Sequence, residues 1–132
     1  MSSNAPRAIV IGHGDFASGI ASAVAQITGR GDALVTMSNR GLSGDAIEAA
    51  LSSTAEETGA RVIFTDLPGG SATIAARRVI RTRDSLTLVA GVSLAVLLDF
   101  VMNEDTDPRA AARHAAERGK SAITVIGGGD GR

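Results

Sequence analysis

Ala8-Ile9-Val10-Ile11-Gly12-His13-Gly14-Asp15-Phe16-Ala17-Ser18-Gly19 is the stretch on which the fold class turns. Ala8 to Ile11 is a short, continuous apolar run rich in β-branched residues, which reads as a buried strand. Gly12-His13-Gly14 ends it. Phe16, Ile20, Val24 and Ile27 then recur at spacings of four, four and three, one face of a helix closed by Gly29 and Gly31.

The same strand-then-helix unit repeats outward from this stretch. Leu34-Val35-Thr36-Met37 reads as a second strand, and a helix from Ser43 or Gly44 carries Ile47, Ala50, Leu51 and Ala55 up to Gly59. Val62-Ile63-Phe64-Thr65 is a third strand, followed by a helix with Ile74, Ala75, Arg78 and Val79. Leu86-Thr87-Leu88-Val89 is a fourth strand, and Ser93 caps a helix bearing Leu94, Leu97, Leu98 and Val101. Asp107-Pro108 starts a last, Ala-rich helix running to about Arg118. Ala122 to Ile126 is a short fifth strand candidate, able to pair at its own sheet edge or with a second subunit.

Alternating strands and helices predict a mostly parallel sheet with helices on both faces. Right-handed crossovers leave few topologies, and a flavodoxin-like strand order 2-1-3-4 is expected. Residues 1–126 are expected to form one domain, with 127–132 a flexible Gly-rich tail.

Composition narrows the function. Thirteen basic against fourteen acidic residues give a net charge of −1, and aromatic residues make up 2% with no Trp or Tyr. Neither a basic stripe nor a base-stacking platform is present, which argues against nucleic acid. The chain has no Cys, so thiol chemistry is excluded, and two well-separated His residues give no metal-ligand cluster. No signal peptide or membrane-spanning run is seen, so a cytoplasmic location without membrane insertion is expected.

In a 2-1-3-4 sheet the loops after strands 1 and 3 meet at the switch point. They bring together His13 and Asp66. His13 on its own also fits a polar loop residue, and Gly69-Gly70-Ser71 on its own fits a turn and helix cap. Together they offer a nucleophilic imidazole between two helix N-termini suited to anions. Asp66 could fix the ring tautomer and raise the basicity of the attacking nitrogen. Phosphoryl transfer through a phosphohistidine needs such a set. Gly12-His13-Gly14-Asp15-Phe16-Ala17 also matches a dinucleotide-binding pattern, but Ser38-Asn39 stands where a ribose-binding acid should end strand 2. His114 reads as a solvated surface residue. Arg77, Arg78, Arg81 and Arg83 read as a solvated helix end or a surface for an acidic partner.

Three ordered blocks carry a family resemblance: Ile11 to Gly19, Phe64 to Ser71, and Gly91 to Asp99. Over about residues 7–126 the chain resembles the mannose-family enzyme IIA component of the phosphoenolpyruvate-dependent sugar phosphotransferase system, closest to stand-alone N-acetylgalactosamine/galactosamine-type subunits. The resemblance implies a flavodoxin-like domain, usually a homodimer with a swapped C-terminal strand. It implies that His13 takes a phosphoryl group on its ε nitrogen from the phosphocarrier HPr and passes it to a IIB component, serving IIC/IID membrane components indirectly. It implies that Asp66 holds the other ring nitrogen, and that Ser71 with the backbone at Gly14, Gly69 and Gly70 binds the phosphoryl oxygens. No metal or organic cofactor is implied. The chain departs from the family's usual pattern at Ala72, Ile74, Ser93 and Ala95, which leaves the sugar and partner open. A regulatory phosphoprotein of the same fold, or the related subunit serving dihydroxyacetone kinase, are the alternatives. A flavin- or nucleotide-binding module is disfavoured by the lack of aromatic rings.

Overall fold

In the computed structural model, which describes residues 5–129, the apolar runs pair as four parallel strands. They are β1 (Ala8–Gly12), β2 (Leu34–Ser38), β3 (Val62–Thr65) and β4 (Thr87–Ala90). The sheet order is β2-β1-β3-β4, as the sequence predicts. Five helices intervene or follow: α1 (Phe16–Thr28), α2 (Gly44–Thr58), α3 (Ser71–Thr82), α4 (Leu94–Met102) and α5 (Pro108–Ala122).

Every residue of β1 and β3 is buried, because helices cover both sheet faces. Alternate side chains therefore feed two cores. Ala8, Val10, Val62 and Phe64 pack with α1, α4 and α5, whereas Ile9, Ile11 and Ile63 pack with α2 and α3. The helix starts follow local chemistry. Ser43 Oγ accepts from Ala46 N at 3.1 Å, Ser93 Oγ from Val96 N at 3.3 Å, and Asp107 Oδ1 from Arg109 N at 3.1 Å.

Several expectations are corrected. Ile27, which falls on the apolar face expected of α1, is 59% exposed, and Ile74, one of the residues read on α3, is 52% exposed. The inner face of α3 is built instead from Ala72, Thr73, Ala75, Ala76 and Val79. Helix α5 continues four residues past Arg118 to Ala122. The fifth strand at Ala122 to Ile126 does not form at the chain's own sheet edge: its residues leave the helix without pairing to any strand of the same chain, and Ile123, Val125 and Ile126 stand out from the surface. A strand exists only through its ladder, and β4 remains the open edge of the sheet. Part of the expected tail, residues 130–132, lies outside the described residues.

Helices α4 and α5 approach each other closely at Gly119, which is buried. A Cβ there would overlap Val96 Cγ2 and come within 3.5 Å of Ser93 Oγ. Gly119→Ala is therefore expected to destabilise the protein by about 1–3 kcal/mol through overpacking, outweighing the ~1 kcal/mol that Ala gains over Gly in a helix. Urea denaturation would measure it, and adding Val96→Ala should recover part of the loss. A stabilised Gly119→Ala protein would show that the two helices separate freely.

Candidate active site

The parallel register sets Ile11 beside Thr65 at the C-terminal ends of β1 and β3. The residues that follow, His13 and Asp66, consequently meet. A single carboxylate oxygen, Asp66 Oδ2, accepts both the backbone N–H of His13 at 2.9 Å and its ring Nδ1 at 2.8 Å. Facing a carboxylate, Nδ1 carries the proton, so the neutral ring leaves Nε2 with its lone pair free. The His13 side chain is 57% exposed and that of Asp66 only 11%. Burial pushes the Asp66 carboxyl upward. The bonds from the His13 backbone and ring, the charge of His13, and Asp66's own backbone N–H outweigh it, and the net position is below the usual carboxylate value.

Gly12 has a role the sequence reading missed. A Cβ at Gly12 would lie 2.8 Å from Asp66 Cγ and Oδ2 and 2.9 Å from Phe16 Cδ2. Any side chain there would displace the carboxylate. In the sequence Gly12 is indistinguishable from a turn glycine ending a strand.

Gly70 precedes α3 at φ +93°, a conformation that favours glycine. A Cβ on it would point to His13 Cε1 at 3.6 Å, so the imidazole edge faces the start of α3. The first helical N–H groups there have no intrahelical acceptor. Ser71 Oγ sits at the same end and accepts from Asn39 Nδ2 at 3.1 Å. Gly14 and Gly69 lie in the two loops, with open space around Gly69. The structure thus brings His13, Gly14, Asp66, Gly70 and Ser71 to one rim.

Buried polar groups hold the second loop. Thr65 Oγ1 and Thr73 Oγ1 are 2.7 Å apart, and both hydroxyls donate to the Leu67 carbonyl or each other. The Thr65 carbonyl accepts from Gly91 N and Val92 N at 2.9 Å each, and Gly91 abuts Pro68. This seats the third sequence block against the second.

The remaining polar candidates are spent elsewhere. His114 is 59% exposed, and its Nδ1 lies 2.7 Å from Asp99 Oδ2. It lies in the middle of α5, away from any helix N-terminus. Arg83 meets Glu56 at 2.9 Å and Ser52 Oγ at 2.8 Å, and Arg78 lies near Asp45 and Glu48. Half of the basic cluster therefore ties α3 to α2. Arg40 Nη2 reaches Asp15 Oδ1 at 3.4 Å, an exposed pair of little energetic weight. Among the described residues no three His, Asp or Glu side chains converge as metal ligands.

Residues 7–117 match the family model EIIA-man, the PTS (phosphotransferase system) fructose IIA component. The chain belongs to this family. Solved structures agree on the fold of this mannose-family IIA component. A mannose/sorbose-specific IIA subunit from Enterococcus faecalis superposes with TM-score 0.80 at 24% identity, covering 92% of this chain and 95% of that one. The PTS IIA protein associated with the fucose utilization operon of Streptococcus pneumoniae gives 0.78 at 21%, covering 95% and 96%. A sigma-54 interaction domain protein from Enterococcus faecalis gives 0.72 at 15%, covering 90% and 94%. No curated protein matches the chain. The family match stops at 117, short of the expected limit of resemblance at 126. Among the described residues, no helix of this IIA component is long and apolar enough to cross a membrane.

Proposed function

We propose that this IIA component is a phosphocarrier in which His13 Nε2 takes a phosphoryl group from phospho-HPr and hands it to a IIB component for sugar uptake. The observation that carries this is the double acceptance by Asp66 Oδ2, which holds the His13 ring through Nδ1 and leaves Nε2 free, with the Cε1 edge of the ring beside Gly70 at the start of α3. On uptake the donor's bond to phosphorus breaks as the P–Nε2 bond forms, and on donation the P–Nε2 bond breaks as the acceptor atom of the IIB component bonds to phosphorus. The Nδ1 proton stays on the ring throughout, hydrogen-bonded to Asp66. Positive charge developing on the imidazole is met by the ionised carboxylate, and the phosphoryl oxygens by Ser71 and the backbone at Gly14, Gly69 and Gly70.

Residues 1–126 form the phosphocarrier domain in this reading, a cytoplasmic homodimer acting on soluble partners. The open β4 edge and the apolar Ile123, Val125 and Ile126 support the dimer. Intact-mass spectrometry after incubation with phosphoenolpyruvate, enzyme I and HPr tests the chemistry. One phosphoryl increment is expected on the wild type and none on His13→Ala. No increment on folded wild-type protein with active HPr would overturn it. A His13 that is labelled but delivers to no IIB protein would favour the regulatory alternative.

A further inference from the structure

Strand β2 contributes nothing to the phosphohistidine chemistry described so far, yet the loop after it is clipped to both site loops. Asn39 donates its backbone N–H to the Gly12 carbonyl at 3.1 Å, anchoring it beside the first loop. Its side-chain Nδ2 donates to Ser71 Oγ at 3.1 Å, across to the second loop. The residue itself is further fixed by Leu42 N, which donates to the Asn39 carbonyl at 3.1 Å.

We infer that Asn39 is a positioning residue for phosphoryl transfer, acting through Ser71. A serine hydroxyl has one proton and two lone pairs. Asn39 Nδ2–H fills a lone pair, so the Ser71 proton is not drawn to the loop and is left to donate to an anion at the start of α3. Without Asn39 the hydroxyl is free to rotate and to turn its proton to other acceptors. An acceptor in place of Nδ2 would reverse the polarity of the contact and take that proton away from the phosphoryl oxygens. This inference rests on the phosphohistidine reading and assigns to Asn39 a task that no residue of the three sequence blocks performs.

The experiment is a double-mutant cycle of Asn39→Ala and Ser71→Ala, with Asn39→Asp beside it, read as single-turnover phosphorylation of His13 by phospho-HPr. Thermal unfolding of each variant reports loop integrity separately. Ser71→Ala and Asn39→Ala are each expected to slow phosphorylation by about ten- to hundredfold, at or below the loss seen for one oxyanion donor. On the Ser71→Ala background, Asn39→Ala is expected to add nothing further, because the hydroxyl it orients is gone. Asn39→Asp, nearly isosteric but unable to donate when ionised, is expected to be slower than Asn39→Ala. If the two alanine effects multiply, or if Asn39→Asp transfers at the wild-type rate, Asn39 does not act through Ser71 and the inference fails. A wild-type protein that takes no phosphoryl group on His13 would instead overturn the underlying reading, and is told apart by that inert control.

Discussion

Asp66→Asn is expected to slow phosphoryl uptake by about two to three orders of magnitude, the scale of losing a preorganised charge beside a developing one. The variant keeps a carbonyl oxygen that can accept from both the backbone N–H and Nδ1 of His13, so ring position and tautomer survive. What disappears, on the proposed phosphohistidine chemistry, is the negative charge that would answer the imidazolium formed when Nε2 bonds to phosphorus. The Asp66 side chain is only 11% exposed, so its charge is screened less than that of a surface carboxylate. Rapid-quench phosphorylation from phospho-HPr would give the rate, with circular dichroism as the control for folding. A loss below about tenfold would leave the carboxylate as a mere prop for the ring. The same variant has a pH signature. The Asp66 carboxyl sits below its usual value in the folded protein. Its contribution to stability is therefore fully present above the unfolded value near 3.9 and is lost as pH falls through the lower folded one. The stability gap between wild type and Asp66→Asn should close as pH falls below about 4.

Phe100→Ala is expected to cost about 3–5 kcal/mol, a large part of the 5–15 kcal/mol that typically holds a domain together. Phe100 is 1% exposed at the end of α4. Its ring meets Phe64 of β3 edge-on, with centroids 5.1 Å apart at 76°. The Arg7 guanidinium lies over the same ring, 4.5 Å from its centre, and Arg7 Nη1 donates to the Phe100 and Val101 carbonyls at 3.1 and 3.2 Å. Truncation would open a cavity between α4 and the sheet and strip Arg7 of its ring contact at once. Urea denaturation should show the loss, and the melting midpoint should fall by about 10–20 °C. A loss under about 1 kcal/mol would mean that α4 collapses onto β3 without cost.

The strand order and the His13–Asp66 pairing were legible because buried parallel strands write themselves as continuous β-branched runs, and because a parallel register carries the residues after two adjacent strands to one edge. The faces of α1 and α3 were less so. Ile27 and Ile74 fall in step with the apolar period, but α3 packs through Ala72, Thr73, Ala75 and Ala76, small side chains with little hydropathy signal. Gly12 reads only as the end of a strand, since a steric vacancy for a carboxylate 54 positions away leaves no local mark. Asn39 likewise makes its contact 32 residues along the chain. At Ile123-Thr124-Val125-Ile126 the sequence has a strand's composition, but a strand needs a neighbour that composition does not name.

The two halves of the His13–Asp66 pair hang from helices on opposite faces of the sheet, α1 on one side and α3 on the other. What joins them is the backbone ladder between β1 and β3. The His13–Asp66 spacing is thereby set by the sheet rather than by the outer faces of the helices. Exposed positions on either helix layer can therefore change with little effect on the His13–Asp66 spacing, which the main-chain pairing of β1 and β3 sets and which Gly12, inside β1, keeps clear.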